Sequence, residues 1–246
     1  MIVDRRGDAH WPAGTPDGKG GQYAPRAGWL GQVEARLPAG DPTVFHSNEQ
    51  AIRAAVDYTD PDTGLSVVVS RVTGQPGYGS RYVFADIHDS DDNIVGQAEF
   101  TIHDPTIGDV PSAYVNGLFV QGSADNAEGG DYRRQGFGTR YRHHFEAAFR
   151  AAGIRELRLH TILTGGIFWA RAGFDFAAPD ARDDVIRKAR EWLVSHPQWR
   201  KQVDELAARD NSTPLEWLML GWSPHASTWP GRQIMDGSSW DGVKRL

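Results

Sequence analysis

The chain contains no cysteine, which excludes disulfides and thiolate-held metals. No apolar run approaches the roughly 18 residues that a membrane-spanning helix needs. The first residues, MIVDRRGDAHWPAG, lack the apolar core of a secretory signal, so a cytoplasmic protein without membrane contact is expected. Basic residues are outnumbered: 26 Lys and Arg stand against 32 Asp and Glu, for a formal charge of -6 and a pI near 5.8. That balance argues against a nucleic-acid partner, because sequence-independent affinity for a polyanion needs many basic contacts. The 9 His are scattered. His143 and His144 are adjacent and would leave a helix in different directions, so no metal centre is expected. The phosphate loop G-x-x-x-x-G-K-S/T is missing, and so is a G-x-G-x-x-G turn after a strand.

What is present divides into parts. Residues 1–43 are rich in Gly, Pro and charge, as in HWPAGTPDGKGGQYAPRAG. Such a composition buries too little apolar surface to offset its ordering entropy, which predicts a disordered arm. Residues 44–179 read as the main domain. SNEQAIRAAVDYT (47–59) carries Ala51, Ile52, Ala55 and Val56 at helical spacing behind a cap at Ser47 or Asn48. Four β-rich runs follow, at 65–72, 80–89, 93–104 and 112–121, with turn material between them. Their close spacing predicts an antiparallel meander. Phe137, Tyr141, Phe145, Ala148, Phe149 and Ala152 form one apolar helical stripe, and Gly153 closes it. IRELRLHTIL (154–163) reads as a strand, GIFWARAG (166–173) as a short helix, and FDFAA as a last short strand.

From about Asp180 the pattern turns helical. Six of the 9 Trp lie after residue 190. Large apolar residues are mostly buried, so residues 180–246 are expected to be a helical extension packed on the core. A docking surface for a protein partner is the alternative use of that Trp-rich segment. The fold class expected overall is α/β (α+β), with a mixed, mostly antiparallel sheet.

DYRRQGFGTRYRHHFEAAF (131–149) places an arginine pair and two glycines directly ahead of the amphipathic helix. A helix N-terminus offers unpaired N–H groups and partial positive charge. Glycine lets the backbone approach a ligand closely. A phosphate or pyrophosphate is the guest such a turn suits. The helix also carries a basic face (Arg140, Arg142, Arg150), partly offset by Glu146 through i,i+4 pairing.

YRRQGFG (132–138) resembles the acyl-CoA pyrophosphate motif of the GNAT acetyltransferase superfamily, Q/R-x-x-G-x-G/A, with Arg133, Gly136 and Gly138 at the defined positions. AYVNGLFV resembles that family's central strand, LRLHTI its next strand, and IFWARAGFDF its L-Y-x-x-x-G-F segment. Together they span about residues 65–178. The resemblance implies a GNAT-like sheet whose two central parallel strands splay, with acetyl-CoA as acyl donor and an amine as acceptor. It implies a pantetheine slot along Leu118, Phe119 and Val120. It implies a pyrophosphate site at Arg133, Arg134, Gln135, Gly136, Phe137, Gly138 and Thr139, with Trp169 also against the coenzyme, and a backbone N–H of Phe119 or Val120 on the thioester carbonyl. The leader HWPAGTPDGKGGQYAP is similar to leaders of the form H-P-A-G-T-x-x-G-G-x-F-A on proteins of actinobacterial phages and plasmids. A mobile-element origin would fit the basic residues, of which only 4 of 26 are Lys.

The sequence departs from the family pattern in three places. QGSADNAEGGD separates the central strand from the glycine turn. Trp169 stands where many members carry a general-acid Tyr, and an indole supplies no proton. Asn116 stands where a general-base carboxylate often sits, and an amide takes none. Glu99, His103 and His160 are the substitutes the pattern offers. The expected function is therefore an N-acyltransferase. The alternative is a catalytically degenerate coenzyme A-binding or virion-associated protein.

Overall fold

The computed structural model describes residues 2–3, 9–10, 40–76, 78–121, 135–162 and 165–246. β1 (Ile2–Val3) and β2 (Ala9–His10) pair antiparallel as a two-stranded ribbon. The remainder of the expected N-terminal arm as far as residue 39 lies outside the described residues. Two short helices then enter the domain, each with a side-chain cap. Asp41 accepts from Thr43 N at 2.8 Å to start α1 (Pro42–Ser47), and Asn48 accepts from Ala51 N at 3.1 Å to start α2 (Glu49–Val56). Of the two caps the sequence offers for α2, Asn48 is the one used.

The four β-rich runs fold as the expected meander. They become β4 (Ser66–Gln75), β5 (Tyr78–His88), β6 (Ile94–Ile102) and β7 (Ser112–Val120), each antiparallel to the next, with β3 (Tyr58–Thr59) on the outer edge of β4. The chain then passes through α3 (Phe137–Ala151) and returns as β8 (Glu156–Thr161), parallel to β7. α4 (Gly165–Arg171) and β9 (Asp175–Phe176) follow. The sheet has eight strands in the order β3-β4-β5-β6-β7-β8-β10-β9.

One face of this sheet is the core. Val67, Val69, Val83, Ala85, Ala98, Phe100, Val115, Leu157 and Leu159 alternate inward along their strands and are buried. The α3 stripe lies on them. The Phe100 ring meets Phe145 at 5.1 Å and Phe149 at 5.6 Å, edge to face, and full burial of each such ring contributes about 1.5–3 kcal/mol. The opposite face carries polar side chains and scattered exposed apolar ones, such as Tyr82 and Phe119.

Beyond β9 the chain is helical, as expected: α5 (Asp183–Leu193), α6 (Arg200–Ala208), α7 (Pro214–Met219) and α8 (Pro230–Met235). Trp217 and Trp229 are buried in this layer, whereas Trp222 is exposed. The last segment differs from the expectation of a purely helical extension. Trp240–Arg245 is β10, which slots between β8 and β9, antiparallel to both. The helices are therefore an insertion in the sheet, not a terminal appendage. WDGVKR does not show a strand's alternating apolar pattern because its second inward position is Gly242. A Cβ there would sit 2.8 Å from the Trp240 ring and 2.9 Å from Leu159 Cδ1.

Candidate active site

β7 and β8 pair only at their beginnings, from Ser112↔Glu156 to Val115↔Leu159. Beyond that point β7 continues to Val120 and β8 to Thr161 without pairing to each other. The cause is local. The β6–β7 register steps from Glu99↔Gly117 to Phe100↔Val115, which leaves Asn116 as an extra residue. Such a bulge bends and twists its strand, and here it coincides with the start of the fork. Gln121 N donates to Val95 O at 2.8 Å, toward β6. Backbone directions alternate along an antiparallel strand, so Phe119 and Gly117 also bond toward β6. The N–H and C=O groups of Leu118 and Val120 then face the fork. Of the two amides the sequence suggests for polarising a carbonyl, the alternation points Val120 inward and Phe119 away. The Phe119 side chain is 54% exposed.

The N-terminus of α3 holds the glycine turn. Gly136 is the N-cap, left-handed at φ 83°, and no side chain among the described residues caps this end. Thr139 N and Arg140 N both donate to Gly136 O at 3.1 Å, which leaves the amides of Phe137 and Gly138 at the open end of the helix. Phe137 itself is buried in the core, and Gln135 is exposed. Arg133 and Arg134, with the inserted loop before them, lie outside the described residues. A residue the sequence did not single out holds the turn in place. Asp60, fully buried, accepts from Arg140 Nε at 2.6 Å and Nη2 at 2.7 Å, and Arg140 Nη2 also donates to Gln135 O at 3.1 Å. Burial pushes the Asp60 carboxyl up, but hydrogen bonds from Arg140, Thr63 and Tyr58 outweigh this and hold it below the usual carboxylate range. The basic face of α3 is thus largely spent: Arg140 on Asp60, and Arg142 on Glu146 at 2.9 Å.

Glu99, Asn116 and His160 fall into one row on the outer face. Glu99 sits on β6 opposite Gly117, Asn116 at the bulge, His160 one residue past Leu159 on β8, and Asp241 opposite His160 on β10. Thr101 Oγ1 donates to Asn116 Oδ1 at 2.8 Å. His160, with its side chain 47% exposed, contacts Asp241 Oδ1 through Nδ1 at 2.7 Å and Ser239 Oγ through Nε2 at 2.9 Å. His103 lies apart. It contacts Ser80 Oγ at 3.2 Å and lines a cavity of about 330 Å³ with Asp104, Asp109 and Arg158, at the paired end of β7. Burial and the nearby Arg158 charge push its imidazole below the ordinary value. Trp169 is also removed from the row. It is 8% exposed, with its indole against Phe168 at 4.7 Å and Phe174 at 5.2 Å. Ser239 and Asp241 carried no signal in the sequence, because neither belongs to a motif and both reach His160 only through β10.

Among the described residues no group of three or more His, Asp or Glu could hold a metal ion, and no helix is long and apolar enough to cross a membrane. No curated protein matches the chain. Among solved structures, an acetyltransferase from Bacillus cereus is 17% identical, covering 40% of this chain and 61% of its own, with a TM-score of 0.31. The PaiA N-acetyltransferase from Thermoplasma acidophilum, in complex with coenzyme A, is 18% identical, covering 39% of this chain and 52% of its own, with a TM-score of 0.29. A GNAT family acetyltransferase from Elizabethkingia anophelis with acetyl-CoA bound is 9% identical, covering 67% of this chain and 76% of its own, with a TM-score of 0.33. The chain thus spans about half to three fifths of the length of the first two. Residues 59–174 match the model of the acetyltransferase (GNAT) family. The match to the GNAT family model takes in the Asn116 bulge, the β7–β8 fork and the open end of α3.

Proposed function

We propose that the protein is an acyl-CoA-dependent N-acyltransferase that takes acetyl-CoA as donor and an amine as acceptor. The observation that carries this reading is the fork. Among the described residues, the backbone groups of Leu118 and Val120 that face the fork pair with no neighbouring strand, an edge that an extended, amide-bearing arm can complete. The open end of α3 lies on the chain directly after the described part of β7 and suits a diphosphate, because its amides and partial positive charge point outward. The GNAT match spans both features.

Acetyl-CoA would supply an activated thioester. The protein's share of the work then follows from its residues. Gln135, Gly136, Phe137, Gly138 and Thr139 form the diphosphate cradle, with Arg133 and Arg134 assigned to it from the sequence alone. Leu118 and Val120 hold the pantetheine arm through backbone bonds. The Val120 N–H stabilises negative charge on the carbonyl oxygen as the amine attacks. His160 accepts a proton from the acceptor side, with Glu99 as the second basic group in the row. Asn116 positions and does not titrate. Trp169, inside the core, packs α4 beneath the site rather than supplying a proton.

A second reading keeps coenzyme binding and drops turnover. Asn116 and Trp169 favour it, because neither can exchange a proton. Calorimetry with acetyl-CoA, followed by thiol release on a panel of primary amines, separates the readings. Binding with thiol release supports the transferase, binding without release supports the degenerate form, and no binding refutes both.

A further inference from the structure

Ser239, His160 and Asp241 stand in one hydrogen-bonded line. His160 Nδ1 meets Asp241 Oδ1 at 2.7 Å, and His160 Nε2 meets Ser239 Oγ at 2.9 Å. A neutral imidazole that donates from Nδ1 to a carboxylate has its lone pair on Nε2, where it can accept a hydroxyl proton. This is the arrangement of nucleophile, base and orienting carboxylate by which a weak hydroxyl becomes an attacking group.

The serine is held in position. Its own amide donates to Asp184 Oδ2 at 2.9 Å, Lys188 Nζ donates to Gly237 O, and the buried Ser238 hydroxyl donates to Met235 O at 2.9 Å. Asp184 and Lys188 belong to α5, so the inserted helices clamp the turn that presents Ser239. His160 and Asp241 are likewise fixed by their pairing across β8 and β10. The line also starts where the fork starts, since His160 follows the last residue of β8 that pairs with β7. The side chains remain open to reagents: His160 is 47% and Asp241 60% exposed.

We propose that Ser239 is an acyl-accepting nucleophile, activated by His160 and Asp241, which gives this protein a second acyl-transfer activity through an acyl-serine ester, separate from direct attack by an amine. Ser239 Oγ attacks the acyl carbonyl of a thioester or activated ester, and its proton moves to His160 Nε2 as the O–C bond forms. The C–S or C–O bond to the leaving group breaks, and His160 returns the proton to it. An amine or water then attacks the serine ester, its proton goes to His160, and that proton passes back to Ser239 as the C–O bond breaks. The inference goes beyond the direct transfer proposed above and rests on it only for acetyl-CoA as the natural donor.

The test uses the full-length protein with p-nitrophenyl acetate, read by nitrophenolate release and by intact and peptide mass spectrometry. The expected result is an adduct of one acetyl mass on Ser239, absent in Ser239→Ala and formed about 100-fold more slowly in His160→Gln. Asp241→Asn should slow it as well, because the imidazole loses its orienting partner. Ser239→Cys should restore acylation, which separates a chemical role from a structural one. Absence of the Ser239 adduct in the wild type, or equal rates in His160→Gln, overturns the inference. Calorimetry with acetyl-CoA on Ser239→Ala keeps the two proposals apart. Binding without any wild-type adduct defeats the nucleophile alone, and an adduct without acetyl-CoA binding defeats the coenzyme reading alone.

Discussion

Gly138→Glu tests the coenzyme site with two readouts that should move in opposite senses. Gly138 lies in the first turn of α3, its φ is not positive, and a Cβ there would meet the Phe168 ring at an ordinary 3.7 Å. A Cβ at this position therefore fits among the described residues without strain. Replacing a helical glycine with a better helix former gains roughly 0.5–1 kcal/mol. The first turn of α3 contains no acidic residue, so a carboxylate there adds about 0.3–1 kcal/mol through the helix dipole. The free protein should melt a few degrees higher, at roughly 2–4 °C per kcal/mol for a chain of this size. Ligand binding should suffer. A carboxylate about 5 Å from a phosphate charge costs about 1–3 kcal/mol across the plausible range of dielectric. Two such charges weaken affinity by roughly 30-fold or more. Scanning fluorimetry on the free protein gives the first quantity and calorimetry with acetyl-CoA the second. A stabilised variant that binds acetyl-CoA as well as the wild type would refute the assignment of the diphosphate to this helix end.

Other perturbations follow from the buried charges and close contacts. Asp60→Ala leaves the Arg140 guanidinium without its bidentate partner and should cost about 3–5 kcal/mol at neutral pH. Because the Asp60 carboxyl lies below its ordinary value, its stabilisation is full above about pH 4 and is lost as pH falls through the folded value, so urea midpoints of variant and wild type should converge in acid. Burial, with Arg142 repulsion added, pushes the His143 imidazole down to about 4, and burial does the same to His144. The unfolded chain takes up these protons near 6.5. The wild type should therefore lose stability as pH falls from 6.5 toward 4, and His143→Gln with His144→Gln should flatten that slope in urea titrations. Gly231→Ala would place a Cβ 2.2 Å from Trp217 O and 2.3 Å from Leu218 O. Between α7 and α8 neither backbone can give way easily, so a loss of about 3 kcal/mol is expected in the same titrations.

Much of this protein was legible in its residue order because short-range periodicity governs it. The alternation in the four meander runs, the stripe from Phe137 to Ala152, and the glycine turn before it are local patterns, each set by backbone geometry within one element. The insertion helices were readable for the same reason. The strand at Trp240–Arg245 was not, since Gly242 removes the side chain that would have completed its alternation. Its place between β8 and β9 depends on a chain path of more than sixty residues.

The site divides along the same line. Residue types suggested the glycine turn as a diphosphate site and Leu118, Phe119 and Val120 as the strand beside the coenzyme. The fork itself is a property of register: Asn116 is a bulge only because Glu99 faces Gly117 while Phe100 faces Val115. The grouping of Glu99, Asn116, His160 and Asp241 needs four strands aligned side by side. The clamp of Asp60 on Arg140 joins residues 80 apart, and the contact of Ser239 with His160 joins residues 79 apart. Sequence alone determined which segments fold and what each could bear, because those are questions of local spacing. Tertiary structure decided which side chains meet, because pairing register and chain reversal set distances that no local pattern encodes.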